Sequence, residues 1–158
     1  MLKFDGYGFG GWPVSSEGRL IKDILAYTAG LMPDDTIKYA MGLGKPDGIM
    51  QCVKMGYNLF DCVIPTREAR HHRLYVFTDD DVNYNPFYEF IYILDDKYRT
   101  DEKSISEDCD CYTCKNYSKA FIRHLFKAGD TLAYRLATIH NLRFYSILME
   151  KIRCHNGR

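Results

Sequence analysis

Cys109, Cys111 and Cys114 form a C-x-C-x2-C run, and His140 follows after 25 intervening residues. Three closely spaced thiolates and an imidazole returned from downstream are the donor set of a tetrahedral zinc site. Four protein ligands would close the coordination sphere, so the Zn2+ would be structural. His124 competes for the fourth position, although it falls in a helical stretch beside Arg123, where exposure or partial packing is expected. The plainer alternative is three thiols in a reduced protein, with His140 satisfied by a core hydrogen bond. The six cysteines do not read as a disulfide framework, because three of them sit within six positions and a reducing compartment favours metal ligation. Cys52, Cys62 and Cys154 are read as packing residues.

Asp61 is the second residue with chemical potential. It follows Leu59-Phe60 and precedes Val63-Ile64-Pro65, so a strand through this stretch would leave the carboxylate at its C-terminal end. Parallel barrels build their active sites on that face, which makes Asp61 a candidate nucleophile or base. A carboxylate satisfied by loop amides would suit the same position.

Positioning these residues requires a scaffold, and the first 65 residues alternate apolar runs with amphipathic stretches. Phe4 to Gly11 reads as a strand ending in glycines. Ser15 or Ser16 can cap a helix carrying Leu20, Ile21, Ile24, Leu25 and Thr28. After Gly30 and Pro33, Ile37 to Leu43 is a second strand, Pro46 opens a helix through Met55, and Tyr57 to Ile64 is a third strand. Strand, helix, strand, helix, strand at this spacing implies parallel strands with right-handed crossovers, an α/β architecture. Three such strands do not close a barrel, which takes about 250 residues. The expectation is the C-terminal portion of a TIM-like (βα)8 barrel, residues 1–78, followed by a connection and helical zinc-binding subdomain, 79–158.

Further along, Arg67 to Arg73 is basic. Leu74 to Phe77 and Phe87 to Leu94 look like strand material around turn-forming Asp79-Asp80-Asp81 and Asn83 to Pro86. Residues 95–110 hold seven acids against three bases and read as a solvated connection. From Lys115 the pattern is helical. Tyr117, Phe121, Leu125 and Ala128 share a face, Gly129 breaks the helix, a second helix runs from Asp130 to Ile139, and Asn141 can cap a third.

Lys plus Arg equals Asp plus Glu at 21 each, which removes the simple case for a uniformly basic nucleic-acid binder. That balance hides nine bases against two acids from Lys115 onward. No apolar run reaches the ~18 to 20 residues needed to cross a bilayer, and the N-terminus lacks the basic-then-apolar layout of a signal peptide. A cytoplasmic protein without a membrane partner is expected.

Gly10-Gly11, Tyr39-Ala40-Met41-Gly42-Leu43-Gly44, Phe60-Asp61-Cys62-Val63-Ile64-Pro65-Thr66-Arg67-Glu68-Ala69-Arg70, Cys109 to Ser118 and Thr138-Ile139-His140-Asn141-Leu142 occur in order along nearly the whole chain. Together they resemble the tRNA-guanine transglycosylase family, over its C-terminal two fifths or so. The resemblance implies exchange of guanine at the tRNA wobble position for a 7-deazaguanine, preQ1 or queuine. Asp61 would be the nucleophile that forms a covalent ribosyl-enzyme intermediate, a role suited to a carboxylate facing an oxocarbenium-like transition state. The target nucleotide would be extruded to reach it. By the same resemblance Met41 lies against the bound base, Gly10 and Gly11 let backbone approach the base edge, and Arg67 and Arg70 contact the tRNA anticodon loop. The implied partners are a second copy of the chain, as a homodimer, or a complementing N-terminal half. The family's base-recognition and proton-transfer aspartates belong to that half.

Two departures keep other readings open. Trp12 stands where members commonly have a small apolar run, and His71-His72-Arg73 replaces a hairpin-like Asn-Gly. One alternative is a relative that inserts deazaguanine into DNA. The other is a non-catalytic, zinc-stabilised RNA-binding or dimerising remnant.

Overall fold

A computed structural model describes residues 4–84 and 86–155. The architecture is mixed α/β, and the chain forms two compact units, 1–63 and 64–158.

In the first unit, β1 (Gly6–Phe9), β2 (Ile37–Ala40) and β3 (Leu59–Phe60) form a parallel sheet in the order β1-β2-β3. Helices α1 (Lys22–Leu31) and α2 (Pro46–Lys54) provide the crossovers. Pro46 stands at the start of α2, where its missing N–H costs nothing. The expected helix from Ser15 does not form. Ser15 Oγ instead accepts the amides of Glu17 and Arg19, and Val14 bridges Leu20 around a tight turn at Gly18, whose φ is +75°. With that hydroxyl committed to the turn, α1 starts only at Lys22 without a side-chain cap. The third strand is also shorter than expected. Asn58 prolongs the pairing, its amide donating to the Lys38 carbonyl and its Oδ1 accepting the Lys38 amide at 3.0 Å.

The second unit begins with α3 (Ile64–Arg70), so Arg67 and Arg70 sit on a helix. An antiparallel hairpin follows, β4 (Arg73–Phe77) with β5 (Tyr88–Tyr92), paired from Arg73↔Tyr92 to Phe77↔Tyr88. Then come α4 (Tyr112–Asn116), α5 (Lys119–Ala128) and α6 (Leu132–His155). Ser118 caps α5 through its hydroxyl, and Gly129, at φ +73°, ends it. The stretch 95–110 is more than a solvated connection, because Tyr98 and Ile105 are buried in the core with Leu74, Ile93, Ile122 and Leu136. Asn141 caps no helix. It is buried inside α6, which runs unbroken through the boundary placed there by the sequence. Residues 64–77 pack with α6, so the compact units part at Val63 and Ile64, whereas the change in sequence character lies near 78.

Candidate functional site

The C-terminal edge of the parallel sheet carries the first group of candidates. Asp61 is exposed, and its Oδ1 accepts two hydrogen bonds, from the Tyr39 hydroxyl at 2.7 Å and from the Gly42 amide at 2.8 Å. The Gly42 amide, then the Tyr39 hydroxyl, hold the carboxyl below its ordinary value. Asp61 in turn raises the Tyr39 phenol. Gly42 has φ +69°, a conformation that strains residues bearing a side chain. Met41 is partly exposed beside it, and a Cβ at Gly10 would lie 3.6 Å from the Met41 sulfur. At Gly11 a Cβ would come within 3.0 Å of the Phe9 ring, so a larger residue there requires that ring to shift. The structure thus brings Gly10, Met41 and Asp61 to one edge, together with Tyr39 and Gly42. The sequence offered no reason to single out that last pair, whose contacts with Asp61 span 22 and 19 positions.

In the second unit, Cys109, Cys111, Cys114 and His140 place one donor atom each within 4.8 Å of one another. His140 Nδ1 lies 3.8, 3.9 and 3.3 Å from the sulfurs of Cys109, Cys111 and Cys114 respectively. Tetrahedral zinc with ordinary Zn–S and Zn–N bonds separates sulfur from nitrogen by roughly 3.6 Å, so the residues fit the ion. Nε2 lies 2.7 Å from the Tyr75 carbonyl. Donation of an N–H to that carbonyl fixes the tautomer that leaves Nδ1 free to ligate. His124 is exposed on α5 and outside the cluster, so His140 takes the fourth position.

The electrostatics of the four residues call for a cation. Burial disfavours a charged His140, but hydrogen bonding to Cys109, Cys111 and the Tyr75 carbonyl outweighs it and holds the ring up at about 9. Contacts from Cys109 and Cys114 push the Cys111 thiol down, whereas Cys109 and Cys111, with burial, push Cys114 up. Hydrogen bonding among the thiols thus favours one thiolate and opposes the next, a conflict that a bound divalent cation would relieve. The other cysteines stand apart. Cys52 is buried, its thiol pushed up to about 11, Cys62 is half-buried, and Cys154 is exposed rather than packed.

Two latches hold this cluster to α6, and a third contact ties α6 to β4 and the start of α3. Thr113, fully buried between Cys111 and Cys114, donates its hydroxyl to the Leu136 carbonyl at 2.7 Å. Asp110, between Cys109 and Cys111, takes Arg143 in a two-point ion pair. Asn141 Oδ1 accepts the Tyr75 amide, and its Nδ2 donates to the carbonyls of Pro65 and Arg73. On α3, Arg67 and Arg70 are exposed three positions apart. Glu68 lies 3.7 Å from Arg67 and 3.1 Å from Arg73, so part of the local positive charge is compensated.

The sequence pattern of queuine tRNA-ribosyltransferases matches residues 1–155. The chain belongs to the queuine tRNA-ribosyltransferase family. It is 44% identical over 152 residues to a queuine tRNA-ribosyltransferase of Actinobacillus pleuropneumoniae, covering 96% of this chain and 37% of that protein. Relatives of the same name from Haemophilus ducreyi and Psychrobacter cryohalolentis are each 45% identical over 96% of the chain, which covers 37% and 38% of them. The chain therefore spans under two fifths of the length of these family members. The Cys3His cluster is compatible with zinc in a queuine tRNA-ribosyltransferase. Among the described residues, no helix is long and apolar enough to cross a membrane.

Proposed function

We propose that this chain forms the nucleophile- and zinc-bearing part of a tRNA-guanine transglycosylase, which exchanges guanine at the wobble position for a 7-deazaguanine, preQ1 or queuine. A carboxylate oxygen of Asp61 attacks ribose C1′, and a C–O bond forms as the C1′–N9 bond breaks. The electron pair leaves with guanine, which takes up a proton. The incoming base, after losing its own N9 proton, then displaces Asp61 and restores the carboxylate. Phosphodiester bonds are untouched throughout. The observation that carries this reading is the Asp61 carboxylate, exposed at the sheet's C-terminal edge and held ionised by Tyr39 and Gly42.

Around that carboxylate, Met41 covers the face of the base with a polarizable thioether, and the narrow Gly10-Gly11 segment lets backbone reach its edge. Arg67 and Arg70 bind the anticodon loop. Residues 1–78 are the last βα units of a (βα)8 barrel, and 79–158 hold the connection and zinc subdomain. Zn2+ on Cys109, Cys111, Cys114 and His140 ties the thiol run to α6 and takes no part in the exchange. An N-terminal half, in the same polypeptide or a separate one, completes the barrel and supplies proton transfer, worth about 10²- to 10⁴-fold in rate. A homodimer is the proposed assembly, working on tRNA in the cytoplasm.

The test is trapping of a covalent adduct with a guanine-bearing anticodon hairpin, with the N-terminal half of a relative added. Adduct with the parent and none with Asp61→Asn is the expected result. An adduct only with DNA would move the activity to a DNA-modifying relative. Binding of tRNA with no adduct under any pairing would leave a non-catalytic RNA-binding protein.

A further inference from the structure

Beside the metal cluster, inside the second unit, lies a cavity of about 410 Å³ whose wall includes Cys109 and His140. Two of the four cluster residues therefore line a cleft that is partly open to solvent. The remaining polar wall carries four acids, Asp80, Asp108, Asp110 and Glu150, against two cations, Arg143 and Lys151. Lys151 pairs with Asp80 at 2.8 Å. Arg143 bridges Asp110 at 2.5 Å and Glu150 at 2.7 Å. Asp108 is exposed, stands next to Cys109 and has no ion pair among the described residues. The cavity thus has net negative charge, an uncompensated carboxylate and two cluster residues in its wall.

We propose that this cavity is the route by which the metal ion reaches and leaves the Cys3His centre, with Arg143 as its gate. The proposal rests on the Cys3His reading. A negative, low-dielectric cleft concentrates divalent cations and accelerates their arrival, and Asp108 supplies a free carboxylate at the approach. Arg143 acts on departure. Its two-point bond to Asp110 holds the backbone between Cys109 and Cys111 against the helix that carries His140, three positions earlier. A ligand sulfur leaves the ion more readily when that backbone can give, so the Asp110 bond slows the loss. Glu150, one helical stretch onward, holds the guanidinium in its bridging pose.

The experiment is performed on the full zinc-loaded chain, with release followed by a chromogenic chelator and uptake by adding zinc sulfate to metal-free protein. Arg143→Met should release zinc about ten-fold faster or more, the scale on which partners of metal ligands act. Asp110→Asn, which keeps the arginine, should act in the same direction and provides a second readout if the first variant folds poorly by circular dichroism. Lys151→Met removes the other ion pair lining the cavity and should leave release unchanged. Asp108→Asn should slow uptake several-fold at low salt, with the difference vanishing at high salt as screening removes the steering. Release by Arg143→Met and Asp110→Asn at the parent rate overturns the gate, as does equal acceleration by Lys151→Met, which would indicate general loosening of α6. Uptake by Asp108→Asn at the parent rate overturns the route. Elemental analysis separates these outcomes from failure of the underlying reading, since a chain that binds no zinc at all removes the centre itself.

Discussion

On the proposed reading, Asp61 is a single exposed carboxylate prepared for nucleophilic work. Both hydrogen bonds fall on Oδ1, which stabilises the charged form and holds its pKa below the ordinary 3.8. A depressed carboxyl contributes stability above its unfolded value and loses it as the pH falls, but exposure keeps that contribution small. The effect appears instead in chemistry. Tyr39→Phe removes one donor, so the acid limb of adduct formation should move to higher pH, toward 3.8. Single-turnover adduct yield against pH checks this, and an unmoved limb would remove Tyr39 from the site. Asp61 itself was legible in the sequence from its place at a strand end. Tyr39 was not, because only the lateral pairing of β2 with β3 brings its hydroxyl across.

At the scale of elements, α6 organises the metal cluster. The Leu136 carbonyl, His140, Asn141 and Arg143 recur at helical spacing, and each meets a group from outside the helix. Asn141→Leu would leave the Tyr75 amide and the carbonyls of Pro65 and Arg73 without their partner. The expected cost is about 3 kcal/mol or more, measurable by urea unfolding, with weaker zinc binding because β4 also presents the carbonyl that orients His140. A change below ~0.5 kcal/mol, the range of an ordinary surface substitution, would contradict this role. Local pattern made Asn141 a helix cap, since asparagine commonly bonds nearby backbone. Its actual partners lie 66 to 76 positions away, and no local rule reaches that far. The end of α5 was readable, because Gly129 stops a helix by its own backbone freedom.

Across the whole molecule, the parallel sheet of the first unit is covered on one face far better than on the other. Register places Ile37 on one face with Gly6, and Leu59 on that same face with Tyr39 and Gly8. Ile37 is 49% and Leu59 45% exposed, whereas Lys38 and Ala40 on the opposite face are 4% and 0%. Parallel sheets are normally covered on both faces, so one apolar face here contributes little to stability. Amide hydrogen exchange on the chain by itself should therefore show weaker protection in β1–β3 than in β4 and α6. Equal protection would contradict this account. The sequence by itself determined the family, the α/β alternation, the thiol run with its histidine, and the carboxylate at a strand end, because each is written in residue type and short-range spacing. Only tertiary structure decided the Tyr39 partnership, the unbroken α6 and the Arg143 bridge. Those depend on which distant backbones pack together, and packing is a property of the folded chain rather than of any local window.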